Sequence, residues 1–322
     1  MDRRKALMYA TLAATSGTTS LLAGCGGSDD PVAPAQATAA TSQNIADLAK
    51  ATPSLSILVE AVVAADLVAT LSGAGPFTVF APNNDAFGAL LVELKLTKAE
   101  LLANKSLLTA VLTYHVLGTK VEKASVPLGK AITTLQKGVF KVEAPGGVLT
   151  ISDGRNRTSK IIATDVQASN GVVHIIEKVI LPANKNIVET AASLPSFSVL
   201  VEAVTAAGLQ GALSGAGPLT VFAPTNDAFA AALAELGITK TALFGNIPLL
   251  TKILTYHVVP GRVLKADIPA TAITTLQGET FTISPTFVLT DQRARLTNIT
   301  ATDVFTSNGV IHVVDKVILP KS

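Results

Sequence analysis

Four histidines and a single cysteine carry most of the chain's capacity for chemistry. His115 and His257 each follow a tyrosine, in Leu-Thr-Tyr-His-Val stretches at 112–116 and 254–258. His174 and His312 each close a Ser-Asn-Gly-Val-x-His stretch. Imidazole ligates zinc and titrates near neutrality, so a metal site or a general base is the first chemistry to weigh. A structural zinc wants about four nitrogen or sulfur ligands, whereas segments 43–183 and 184–320 each offer two histidines and no cysteine. Residue types would also allow a hydrolytic triad of Ser169, Asp165 and His174, provided nucleophile and base come within hydrogen-bond reach. No Gly-x-Ser-x-Gly elbow accompanies it. No Gly-rich phosphate loop with a following Lys occurs either, and the glycines at 73–75 and 215–217 lead into strands.

A packing role is the stronger reading of these histidines. His174 and His312 lie on apolar strand faces beside Val172, Ile176, Val310 and Val314, where a neutral ring needs one buried hydrogen-bond partner. His115 and His257 end apolar helices, where a ring N–H can meet free carbonyls and the helix dipole favours charge. The expectation is a non-enzyme with no cofactor and no metal.

Cys25 has a different context. Arg3, Arg4 and Lys5 form a basic start, 6–22 is modestly apolar, and Leu22-Ala23-Gly24 precedes the cysteine. This pattern reads as a signal peptide over 1–24 with a lipobox, Cys25 being the thiol that accepts the lipid. The Arg3-Arg4 pair also resembles a twin-arginine export signal. Removing 1–24 leaves a chain of balanced formal charge, and no Lys/Arg cluster of the kind nucleic acid requires is present. Gly26, rather than Asp, follows the cysteine, which favours lipid anchoring at the outer membrane after export. Residues 25–42, rich in Gly, Ala, Pro, Ser and Thr, read as a flexible tether.

The elements that must position these residues are written twice. Segments 44–87 and 186–229 match at roughly two thirds of positions, as expected of duplicated units. The repeat sets domains at 43–183 and 184–320. In each, helical stripes such as Leu55, Leu58, Val59, Val62 and Ala65 surround one strand near 77–81. Asn83 and Thr225 read as helix N-caps, with Asp85 and Asp227 in the first turn. The later half reads as strands near 139–142, 148–151 and 160–163. A final run from 171 to 181 is apolar on both faces and therefore interior to a sheet. Helices before strands indicate an α+β fold. The sequons at Asn104, Asn156 and Asn298 read as chance matches.

Thr-Val-Phe-Ala-Pro-x-Asn-Asp-Ala-Phe, Tyr-His-Val, and Ser-Asn-Gly-Val-x-His followed by Ile-Leu-Pro together resemble the fasciclin domain. All three occur in both copies in the family's order, over about 42–182 and 184–320. The resemblance implies two tandem domains, each a β-wedge or sandwich flanked by several helices, at cell surfaces, in periplasm or in extracellular matrix. It implies adhesion through protein or polysaccharide partners, with no nucleic acid. Animal members use an Asp-Ile pair and the Tyr-His segment toward integrins. The matching positions are Asp165-Val166 and Asp303-Val304, with Tyr114-His115 and Tyr256-His257. Valine in place of isoleucine, and a bacterial lipobox, argue against integrin while leaving these segments as candidate contacts. Two such copies raise avidity where both engage. A structural envelope lipoprotein without a ligand, and a histidine-based metal or small-ligand carrier, are the rival readings.

Overall fold

The computed structural model describes residues 43–321. The expected leader, the lipobox expected at Cys25 and the expected tether lie outside the described residues. The first domain contains α1 (Ile45–Lys50), α2 (Ser56–Ala64), α3 (Val68–Ser72), β1 (Phe77–Pro82), α4 (Asn84–Leu94), α5 (Lys98–Ala103), α6 (Lys105–Tyr114), β2 (Val116–Leu117), β3 (Ile132–Thr133), β4 (Val139–Glu143), β5 (Thr150–Ser152), β6 (Thr158–Ala168) and β7 (Gly171–Ile176). The second repeats this order as α7 (Ile187–Ala192), α8 (Ser198–Ala206), α9 (Gln210–Ser214), β8 (Leu219–Pro224), α10 (Asn226–Leu236), α11 (Lys240–Gly245), α12 (Ile247–Tyr256), β9 (Val258–Pro260), β10 (Ile273–Thr274), β11 (Thr280–Ile283), β12 (Val288–Thr290), β13 (Leu296–Thr306) and β14 (Gly309–Val314).

Each domain builds one seven-stranded sheet, in the order β2-β1-β7-β6-β5-β4-β3 and its counterpart β9-β8-β14-β13-β12-β11-β10. The fold is α+β, as expected. Within the first sheet only β1 and β7 run parallel. The sheet divides two cores, because successive side chains on a strand point to opposite faces. Val79 and Ala81 of β1, with Val173 of β7, pack against the helices. Phe80 and Ile176 face Tyr114, Phe140 and Ile151 in the β-wedge, where Phe80 meets Phe140 edge-on at 5.1 Å. The run from 171 onward is apolar on both faces because both faces are covered.

Local signals set the helix starts. The Asn83 side chain accepts from the Ala86 N–H at 2.8 Å and Thr225 accepts from Ala228 N–H at 3.2 Å, with Asp85 and Asp227 in the following turns. The β6–β7 turn is held closed by Asn170. Its Oδ1 accepts from Ile45 N–H at 2.9 Å, and its Nδ2 donates to Leu71 and Gly73 carbonyls at 2.8 Å. Gly171 is required there, since a Cβ would lie 2.1 Å from the Phe77 carbonyl oxygen. Strand β6 runs beyond the expected 160–163 because a bulge interrupts its alternation. Its register against β7 shifts on both sides of Ala163, and Asp165 takes φ +59°.

Candidate functional site

Each histidine has both ring nitrogens engaged by backbone. His115 Nδ1 lies 2.7 Å from the Val111 carbonyl, and its Nε2 accepts from Ile180 N–H at 3.1 Å. A carbonyl only accepts and an N–H only donates, so the ring is the neutral Nδ1–H tautomer. His257 repeats this with Ile253 and Ile318. His174 and His312 use the opposite tautomer. Their Nε2–H reaches the Val121 and Val263 carbonyls at 2.8 Å, while Nδ1 accepts from Asp165 and Asp303 N–H at 3.3 Å. The dipole at the end of α6 does not charge His115. Burial dominates, pulling His115 and His257 down to about 4, and lowering His312 as well. Among the described residues no group of three or more His, Cys, Asp or Glu gathers as metal ligands.

Tyr114 and Tyr256 are also interior, each 0% exposed. Tyr114 Oη donates to the Val139 carbonyl at 2.6 Å and accepts from Gly154 N–H at 2.8 Å. Burial raises both tyrosines above their ordinary range. The Tyr-His segments thus present no side chain to a partner. They tie the helical layer to β4, to the turn after β5 and to the segment after β7.

The Asp-Val pairs sit at the bulges, and here the two copies differ. Asp165 is half-exposed, with Oδ1 accepting from Lys123 N–H at 2.8 Å. It borders an open concavity of about 410 Å³ lined by Lys123, Val126, Leu128 and Leu149. His174 fixes the bulge from below, and the left-handed backbone is one that Asp tolerates. Asp303 has the same backbone but lies inside the junction between the domains. Its Oδ2 takes the Lys141 ammonium at 2.8 Å, with side-chain exposures of 9% for Lys141 and 1% for Asp303. Burial pulls Lys141 down, but the hydrogen bonds and charges of Asp303 and Glu143 outweigh it and leave the ammonium above its ordinary range. Beside this pair, Asn156 makes a reciprocal couple with Phe305, accepting from its N–H at 2.6 Å and donating to its carbonyl at 3.1 Å. Val139, Leu264, Phe305 and Val310 close the apolar part. The two Asp-Val segments are therefore not equivalent surfaces.

Sequence reasoning missed the junction residues because they do not repeat. Lys141 and Asn156 align with Thr282 and Ala294, while Leu264 and Phe305 align with Glu122 and Gln167. Departure from the repeat was itself the signal. It also missed Asp153, 1% exposed, which accepts from Arg155, Arg157 and Leu181 N–H and from the Arg157 guanidinium. Asp291 does the same with Arg293, Arg295 and Leu319. The repeated Asp-x-x-x-Arg spacing could have marked these carboxylates.

Two copies of one α+β domain, joined through unlike faces, define the class of protein. The chain belongs to the fasciclin domain family, whose model matches residues 53–182 and 195–320. It is similar to pig transforming growth factor-beta-induced protein ig-h3, at 32% identity over 78% of this chain and 36% of that protein. Protein sll1483 of Synechocystis is 49% identical over 42% of this chain and 73% of its own length. Human periostin is 30% identical over 79% of this chain and 29% of its length. The chain thus spans about a third of the two animal relatives. A solved FAS1 domain pair from the insect cell adhesion molecule fasciclin I is similar at 18% identity and a TM-score of 0.42, covering 83% of this chain and 97% of that one.

Proposed function

We propose that this protein is a non-catalytic binding module of the bacterial envelope that engages a protein or polysaccharide through the Asp165–Val166 bulge of its first domain. The observation that carries the reading is the unequal use of one motif. The second copy spends its bulge on the domain junction, while the first leaves the same backbone half-exposed beside a concavity. The imidazoles, saturated by backbone, have no free nitrogen for a substrate. Export and attachment through a lipid on Cys25 place the module at the membrane surface, with the outer membrane favoured. A mature mass starting at Cys25 and carrying a diacylglycerol tests the anchor.

Capture of envelope components and binding to a glycan array, using the full chain, test the contact surface. Asp165→Asn with Leu128→Asp alters the concavity while leaving the Asp165 backbone contacts in place. Loss of capture at unchanged melting temperature supports the assignment. Capture by the variant equal to that of the parent chain removes Asp165 from the site, and absence of any captured component refutes the binding reading.

A further inference from the structure

A second concavity lies at the junction and shares no lining residue with the one beside Asp165. It holds about 230 Å³ and is lined by Gln136, Lys137, Gly154, Pro182, Arg262 and Ser307, among others, so both domains contribute walls. Its lining contains two cations and no carboxylate. The Arg262 Nε is buried without a hydrogen-bond partner among the described residues. Such a group is rare in folded proteins and calls for an explanation. Desolvation pulls this guanidinium below its ordinary range, with no carboxylate acting against it. Lys137 is exposed at the rim. Gln136 uses its Oε1 to accept from Gly138 N–H at 2.9 Å, which leaves its amide NH₂ as a further donor.

The repeat shows what Arg262 lacks. Its counterpart Lys120 pairs with Glu122 at 3.0 Å. In the second copy the position of Glu122 is Leu264, 0% exposed. The cation is present, and the carboxylate that would neutralise it is replaced by an apolar anchor of the junction. A half-buried guanidinium beside an ammonium and an amide donor matches an oxyanion, which can accept two parallel N–H bonds from arginine. We propose that this interdomain concavity binds a small polar ligand through a carboxylate or phosphate group, with Arg262 as the principal contact and Lys137 and Gln136 completing the donors. The volume is below that of sites for drug-sized ligands, about 300 Å³ and upward, and suits a ligand of roughly monosaccharide size. Because the walls come from both domains, occupancy and domain pairing are coupled.

Calorimetric titration of the full chain tests this with glucuronate, inorganic phosphate and neutral glucose. Saturable binding of glucuronate or phosphate, with none for glucose, is expected, and the preferred anion separates a carboxylate from a phosphate ligand. Arg262→Gln weakens binding by about tenfold or more, the loss of charge-assisted hydrogen bonds. Asn156→Ala, which loosens one wall, also weakens it. Asp165→Asn leaves it unchanged, which separates this site from the proposed partner surface. Should R262Q fail to fold, the exposed Lys137→Gln carries the test with a several-fold loss. Failure of both anions to saturate, or undiminished affinity in a folded R262Q and in K137Q, overturns the assignment.

Discussion

Lowering the pH should weaken each domain before its carboxylates titrate, because His115 and His257 are buried as neutral rings. Both are held at about 4 in the folded chain against 6.5 for a free imidazole, with burial as the leading cause. The unfolded chain therefore binds more protons between these values, and stability falls as pH falls through that window. The limiting loss is about 3 kcal/mol per ring at roughly 1.4 kcal/mol per unit. Between pH 7.5 and 5 the same linkage amounts to about 2 kcal/mol per ring. Geometry explains why the ring resists the proton. Protonated Nε2 would turn a donor toward the Ile180 N–H that it now accepts at 3.1 Å. Urea denaturation at pH 7.5, 6 and 5, with each domain's transition followed separately, measures the slope. In His115→Asn the first domain is less stable at neutral pH, but its stability changes less between pH 7.5 and 5. A parent chain whose first domain shows no pH dependence in this window, or an equal slope in the variant, refutes the account of His115.

The junction offers a test of charge burial. Lys141→Met leaves the Asp303 carboxylate without its cation and costs about 3 kcal/mol or more, read as a lower melting temperature. Adding Asp303→Asn restores most of that loss in calorimetry. Gly171→Ala places a methyl 2.1 Å from the Phe77 carbonyl oxygen and opens the parallel β1–β7 pairing, at a cost of about 4 kcal/mol or more by denaturant melt. Asn83→Ala removes the cap on α4 and costs only about 1 kcal/mol.

Legibility in the sequence followed the physics of range. Asn83 and Thr225 could be read as caps because capping is decided within one turn, and the doubly apolar run from 171 announced an interior strand, although β7 ends at Ile176 and 177–181 lies outside any strand. The histidines could be read as packing groups, but not their tautomers, which depend on the Ile180, Asp165, Ile318 and Asp303 N–H groups arriving from elsewhere in the chain. The charge expected for His115 at the end of α6 followed from the local dipole, and the sheet packed over it reversed the sign. The bulge at Asp165 broke the period-two alternation that would have shown β6 at full length. Lys141 pairing with Asp303 spans two domains, and no local pattern encodes such a partner.

The junction also gives the chain a direction. Extending it by the same geometry from one molecule to the next would bring Thr282 and Ala294 of one copy against Glu122 and Gln167 of another. That meeting supplies neither the Lys141 ammonium for the acid nor the Leu264 and Phe305 anchor, and it would bury the Lys120–Glu122 ion pair. Repetition of this junction from molecule to molecule is therefore disfavoured by residue choice, because the side chains that close it inside one chain have no counterparts at the outer faces.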